Sequence, residues 1–266
     1  MDASLKKPVI QWDQASNRSA EYDLIAEEPL AIRIEGKPYS VVMRTPGDEL
    51  AHTAGFCLAE GIVDTLDDFG DLACCNDDDT NVVTVTLSES RRPQITDLLD
   101  RRGFISQTSC GICGKEIVKD LYQSIQPVSD NTQIDCNLAL ECLETLAGHQ
   151  PLRQKTRASH AAALFSSNFE LLSAAEDVGR HNALDKAVGK LFLERKLERA
   201  ALAVLSSRIS YELVQKAARA RIPIILAVSR PTSLSVELAE NLNMTLACLA
   251  PETGLLIFCN ESRLIR

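Results

Sequence analysis

Cys110 and Cys113 stand two residues apart in "QTSCGICGKE", residues 107–116, with Gly111 and Gly114 following them. Two thiols at this spacing can clamp a metal, close a disulfide or present a thiolate for covalent chemistry. A structural zinc site takes four ligands, usually from two such pairs. This chain has a single C-x-x-C, while Cys74 and Cys75 are adjacent and Cys136 and Cys142 are six apart in a helical pattern. A thioredoxin-type pair is expected near a βαβ unit, whereas this one sits in a glycine-rich loop ahead of "KEIVKDLYQSI". A nucleophilic thiolate fits better. The glycines clear space for a large partner, and Lys115 with the positive end of the next helix favours the ionised thiol. The plain alternative, two idle cysteines in a loop, leaves exposed thiols without a use. Cys110 is expected to be the more accessible thiol and Cys113 its assistant, in a loop from Gly103 to Gly114 that packs poorly until a partner arrives. The other seven cysteines lie mainly in apolar contexts such as "GFCLAE" and "LIFCN", and read as small core hydrophobes.

A second group of residues suits an anion. Two apolar stretches each end in hydroxyl residues and an arginine: Ser206, Ser207 and Arg208 after "AALAVL", and Ser229, Arg230, Pro231, Thr232 and Ser233 after "IPIILAV". Helix N-terminal amides, hydroxyls and guanidinium groups together suit phosphate. Ordinary capping explains the hydroxyls but not both arginines. A third group opens the helical pattern "EDVGRHNALDKAVGKLF", where Asp177, Arg180, His181 and Asn182 flank a glycine. His160 in "TRASHAAALF" precedes a strand and can face the same crevice, although a lone histidine is more often structural.

The elements that must hold these groups follow from patterning. "PLAIRIEGKPYSVVMR" reads as a β-hairpin turning at "EGKP". "LAHTAGFCLAEG" reads as a helix closed by Gly61, "DLACC" and "NVVTVTL" as strands, and "PQITDLLDRR" as a short helix. Residues 1–26 are polar and weakly patterned, with an exposed-looking Trp12. "NLALECLETLAG" reads as a helix capped by Asn137, and "HAAALFSSNFELLSA" as a second hairpin. Apolar strands then alternate with the helices "ISYELVQKAARA" and "LSVELAENLN", and "MTLACLA" and "LLIFCN" complete the set. Continuous apolar strands alternating with helices imply a parallel sheet covered on both faces. In such a sheet ligands bind at the carboxyl ends of the strands, where both arginine segments fall. The expected organisation is an N-terminal α+β domain over 1–130, ending in the C-x-x-C loop and its helix, and a C-terminal α/β domain over 131–266.

The bulk composition is that of a globular chain: 266 residues, 45% apolar and 24% charged. A net charge of −9 disfavours a general nucleic-acid or anionic-membrane surface. No apolar run approaches a membrane span, and the first residues lack the apolar core of a secretion signal. The expected compartment is the reducing cytoplasm, where thiols stay free.

The blocks "RTPGDELAHTAGFCLAEGI", "SCGICGKE", "EDVGRHNALDKAVGK" and "SSRISYELVQKAARARIPIILAVSRPTSLSVELAE" resemble the formate dehydrogenase accessory sulfurtransferase family. The resemblance implies an α/β fold: a cytidine-deaminase-like three-layer C-terminal domain with a smaller N-terminal α+β domain. It implies a sulfur carrier, a sulfurtransferase in which a cysteine desulfurase loads a persulfide on the C-x-x-C loop. The sulfur then goes to the molybdenum bis(molybdopterin guanine dinucleotide) cofactor of formate dehydrogenase, which is the bound substrate, and the protein has no tightly bound metal of its own. A homodimer without nucleic-acid or membrane partners is expected. Carried onto this chain, the catalytic residues are Cys110 and Cys113. The cofactor-binding residues are Arg180, His181, Ser207, Arg208, Ser229, Arg230 and Thr232, with Leu249, Ala250, Pro251, Glu252, Thr253 and Gly254. The last segment departs from the family pattern, with Glu252 and no Arg or Lys. Deamination is not implied, because His160 is followed by Ala161 and Ala162 rather than by the H-x-E of zinc deaminases. A chaperone that binds the cofactor without sulfur chemistry is the competing function class, and it predicts indifference to loss of both loop thiols.

Overall fold

A computed structural model describes residues 2–13, 16–76, 79–96, 125–129, 132–250, 252 and 254–266. The C-x-x-C loop, the helix expected after it and most of "PQITDLLDRR" lie outside the described residues, as do Pro251 and Thr253.

The polar N-terminus forms a two-stranded antiparallel ribbon of β1 (Ser4–Trp12) and β2 (Asn17–Ile25). Its alternation is weak because almost nothing in it is buried, so no face is marked by the core. The expected hairpin follows, β3 (Glu28–Ile34) and β4 (Lys37–Arg44). Glu35 and Gly36 both take positive φ, 51° and 74°, the requirement of a two-residue type I′ turn. Helix α1 (Glu49–Ala59) then leads to β5 (Phe69–Asn76) and β6 (Asp79–Leu87), which complete a four-stranded sheet in the order β4-β3-β6-β5. Gly61 closes α1 as expected: at φ 75° it lets Gly61 N–H reach Leu58 O and Ile62 N–H reach Cys57 O, a Schellman ending.

The C-terminal part opens with β7 (Ile134–Asp135) and α2 (Cys136–Thr145). The cap of α2 is Asp135 rather than Asn137: its carboxylate accepts from the amides of Asn137 and Leu138 at 2.8 and 3.1 Å. Next come α3 (Pro151–Thr156), β8 (His160–Phe165), β9 (Leu171–Asp177), α4 (Arg180–Leu193), β10 (Leu202–Leu205) and α5 (Tyr211–Arg219). The chain continues through β11 (Ile224–Ala227), α6 (Ser233–Asn241), β12 (Thr245–Leu249), β13 (Leu255–Cys259) and β14 (Leu264–Ile265), which pairs with β7. The main sheet has six strands in the order β13-β12-β11-β10-β8-β9. Only β10, β11 and β12 are mutually parallel; β8, β9 and β13 run antiparallel to their neighbours, so the sheet is mixed rather than purely parallel.

Alternate residues of this sheet point to opposite cores. Ala162, Leu164, Ala203, Leu205, Ile225 and Leu246 share a cluster with α1, α4, α5 and α6. Ala163, Phe165, Val204, Ile224, Leu226 and Ala247 face Ala139, Cys142 and Leu143 of α2. The result is three layers, helices–sheet–helices. The larger cluster also takes in Leu30, Ile32, Val83 and Val85 of the N-terminal sheet, so both halves of the chain share one core. Helices α1 and α4 touch backbone to backbone: a Cβ on Gly55 would overlap the Asp185 carbonyl, and one on Gly189 the Ala51 carbonyl.

Candidate functional site at the carboxyl edge of the six-stranded sheet

Strand direction gathers the site. The ends of β9, β10, β11 and β12 and the start of β8 all fall on one edge, since His160 pairs with Asp177 and Leu205 pairs with both Ala162 and Ala227. Two loops leave this edge side by side. Residues 206–210 connect β10 to α5, and residues 228–232 connect β11 to α6. They are tied together by Thr232 N–H donating to Ile209 O at 3.1 Å, and Val228 N–H donates to Leu205 O at 3.0 Å. Arg208, Ser229 and Arg230 are exposed on these loops.

The hydroxyls expected beside them are partly consumed by the fold. Ser206 locks β10 to β8, its Oγ accepting from Ala161 N–H at 2.8 Å. Ser207 donates to the adjacent Arg208 carbonyl at 2.9 Å. Thr232 caps α6, accepting from Ser235 N–H at 3.3 Å. The side chains of Arg208, Arg230 and Ser229 have no hydrogen-bond or ion-pair partner among the described residues and are exposed to meet a ligand. After β12, Ala250 N–H donates to Gly254 O at 2.9 Å, with Gly254 at φ 91°. Leu249 and Glu252 are exposed there. Arg230 sits close enough to Cys248 to oppose the rise that burial gives this thiol.

On the other flank, α4 starts at Gly179 with no side-chain cap. Arg180 and His181 are half-buried, and Arg180 Nε is enclosed without a hydrogen-bond partner among the described residues. His160 lies in the field of both. Burial, then Arg180, Arg153 and His181, lower its pKa, which favours the neutral ring. The helix entrance is fixed from below by a buried network that patterning does not reveal. Asp177 accepts from Thr45 N–H at 3.0 Å, Gly179 N–H at 2.8 Å and Asn182 Nδ2 at 2.9 Å, and it pairs with Lys186 at 2.7 Å. Lys186 Nζ also donates to Thr45 O at 2.7 Å. The "RTPGDE" turn of the N-terminal half is therefore part of the scaffold of this site.

Sequence patterning also misses Ser210 and Glu212. His181 Nε2 lies 3.2 Å from Ser210 Oγ and 3.5 Å from Glu212 Oε2. Both contacts fall on the same nitrogen, so the three do not form a Ser-His-acid relay, which needs one partner on each nitrogen. Among the described residues no group of three or more His, Cys, Asp or Glu is placed to hold a metal ion. Burial drives Cys57 far above the ordinary thiol range and Cys142 up to about 11, as expected of inert core thiols, and Cys248 and Cys259 are buried as well; Cys74 and Cys136 are only half-buried and Cys75 is exposed, so the core reading fails for Cys75, which sits at the outer end of strand β5. The two thiols assigned to the chemistry, Cys110 and Cys113, lie outside the described residues.

The sequence profile of the FdhD/NarQ family matches residues 25–265. A "Sulfur carrier protein FdhD" of Streptomyces coelicolor is 37% identical over 251 residues, covering 90% of this chain and 88% of the relative. One of Sulfurisphaera tokodaii is 36% identical, covering 93% and 94%. A crystal structure from Desulfotalea psychrophila, provisionally assigned as a formate dehydrogenase accessory protein, superposes with a TM-score of 0.79 over 99% of this chain and 100% of its own. At 22% identity that likeness concerns the fold. No helix among the described residues is long and apolar enough to cross a membrane.

Proposed function

Because the chain belongs to the FdhD/NarQ family, we propose that it is a sulfur carrier serving formate dehydrogenase, and that it binds a guanine dinucleotide form of the molybdenum cofactor at the carboxyl edge of the six-stranded sheet. The observation that carries the binding half is the convergence of Arg180, Arg208 and Arg230 on one sheet edge of a chain whose net charge is −9. Arginine forks suit the phosphates of such a ligand. The names of the relatives support the sulfur half.

In this reading the Cys110 thiolate attacks the outer sulfur of a cysteine desulfurase persulfide. A new S–S bond forms at Cys110, the donor's S–S bond breaks, and the donor cysteine leaves as thiolate. Cys113 then attacks Cys110 Sγ, closing a disulfide and releasing sulfide to molybdenum; a cellular dithiol must afterwards reduce the disulfide. The cofactor, molybdenum bis(molybdopterin guanine dinucleotide), is substrate here, held by Arg208 and Arg230 with Ser229, by Arg180 across the crevice, and by residues 249–254. The layered C-terminal part is read as cytidine-deaminase-like without deaminase chemistry. The setting is cytoplasmic and the working form a homodimer, with the desulfurase and formate dehydrogenase as protein partners.

Incubation with a desulfurase and cysteine, followed by peptide mass spectrometry, tests the sulfur step: one added sulfur is expected on Cys110. An adduct confined to Cys113, or to Cys136 and Cys142, overturns that assignment, and client maturation that survives loss of both loop thiols leaves only a cofactor-binding chaperone. Titration of GDP tests the binding step. Arg208→Ala and Arg230→Ala are each expected to weaken it about 10- to 100-fold, the effect of one charge-assisted contact. Equal affinity in all three folded proteins at low salt means the phosphates bind elsewhere.

A further inference from the structure

Elsewhere in this chain enclosed arginines are answered by carboxylates. Arg44 meets Glu49 at 3.1 Å, and Arg91 and Arg219 both meet Asp64, at 2.6 and 2.5 Å. Two arginines at the crevice are not answered in this way. Arg180, the first residue of α4, is half-buried and forms no ion pair among the described residues, and its Nε is enclosed there without a partner. Arg153 of α3 rests one arm of its guanidinium on the Ser159 carbonyl at 2.9 Å, and no carboxylate among the described residues pairs with it. The acid beside it, Glu176, is engaged otherwise. It accepts from the Leu152 and Arg153 amides at 2.7 and 2.8 Å and from the Ser159 hydroxyl at 2.5 Å. Asp177 is buried and held by Lys186.

The backbone brings both arginines to His160. Ser159, which anchors Arg153, directly precedes it, and its register partner across β8 and β9 is Asp177, three residues before Arg180. Burial, then the fields of Arg180 and Arg153, oppose protonation of this half-buried ring. Two cations brought to one place repel each other, and an anion between them replaces that repulsion with charge-assisted hydrogen bonds.

We propose that Arg153 and Arg180 clamp a phosphate group beside His160, forming a subsite on the flank opposite Arg208 and Arg230. Arg153 and His160 thereby join the binding site. The inference rests on the cofactor reading only for which molecule carries the phosphate. A tetrahedral oxyanion is the chemistry that two guanidinium forks recognise, and it is shared by a phosphate of a guanine dinucleotide and by free inorganic phosphate. The charged and titratable groups facing His160 are Arg180 and His181 of α4, Arg153 of α3 and Asp177 of β9. An anion held among them opposes the guanidinium fields, so the pH midpoint of the His160 ring must rise when it binds.

The test follows the His160 ring by NMR in the full chain, assigned with His160→Asn, while inorganic phosphate, GDP or guanosine is added. Phosphate and GDP are each expected to move the His160 midpoint to higher pH in a saturable way, and guanosine to leave it in place. Arg153→Gln should weaken phosphate binding about tenfold, the effect of one lost charge-assisted contact. Arg153→Lys should recover part of that loss, because the cation remains. Melting temperatures of both variants check that loss of the Ser159 anchor has not unfolded the chain. A response to GDP alone places a nucleotide phosphate in the subsite, and a response to phosphate alone places a free oxyanion there. No saturable movement with either anion overturns the proposal, as does equal phosphate affinity in wild type and folded Arg153→Gln. GDP bound with the His160 midpoint unmoved by GDP or phosphate refutes the subsite and leaves the cofactor reading standing. Phosphate titrating His160 in a chain that binds no GDP refutes the cofactor reading and leaves the subsite standing.

Discussion

Single buried ionic groups set the conditions under which this site exists. Lys186 and Asp177 are both nearly or fully buried and 2.7 Å apart, and Thr45 ties them to the N-terminal half. Lys186→Met leaves the Asp177 carboxylate buried without its cation, and is expected to cost about 3–5 kcal/mol in urea unfolding. A loss under about 1 kcal/mol would mean the pair is not buried in solution. Asp185 behaves in the opposite sense to a usual surface carboxylate. Burial pushes its pKa from 3.8 up to about 6 although Lys216 lies 2.8 Å away. The folded state therefore binds more protons than the unfolded one between about pH 4 and 6, and this group's contribution to stability falls as pH rises through that window. Stability measured across that window should lose this downward component in Asp185→Asn, which has no proton to exchange, even though the variant is less stable overall. An identical pH slope in both proteins would refute the assignment.

At the scale of elements, the contact of α1 with α4 is the most demanding feature. Gly55 and Gly189 each face a carbonyl of the opposite helix, so neither helix can accept a Cβ without moving apart. Gly189→Ala should destabilise by roughly 1–3 kcal/mol, as overpacked cores do, and lower GDP affinity as well, because α4 carries Arg180. A stabilised Gly189→Ala, the outcome of helix propensity alone, would show that the helices are further apart. The ends of these elements are less legible than their middles. Gly61 marks the end of α1 in the sequence, but the chain after α4, α5 and α6 turns through Arg195, Arg221 and Asn243 at φ 55°, 60° and 53°. Two of those three are arginines, residues that carry no such signal. Asp135→Ala, which removes the carboxylate cap of α2, should cost about 1 kcal/mol of stability; an unchanged midpoint would argue that water caps this helix as well.

Over the whole molecule, the two halves of the chain share one hydrophobic core. Phe69 of the N-terminal sheet packs edge-on to Phe192 of α4 with centroids 6.2 Å apart, and Arg221 donates to the carbonyls of Gln126 and Pro127 between the halves. A single calorimetric transition is expected, and residues 131–266 expressed alone should not fold, since the face of α4 that meets α1 would be bare. Two separate transitions would refute the shared core. The sequence alone determined the hairpin turning at Glu35 and Gly36, the apolar strands β10 and β11 with their paired arginines, and the helix opening at Arg180. Each is a local consequence of backbone freedom or of complete burial. It could not mark the ribbon of β1 and β2, where burial writes no alternation, nor the antiparallel course of β13 and of the β8–β9 pair within the sheet. The placing of Thr45 against Asp177, and of Ser210 and Glu212 against His181, was decided only by tertiary structure. These partners are 132, 29 and 31 positions apart. What brings them together is the order of strands in a sheet, which depends on how whole faces pack and leaves no trace in the residues next to them.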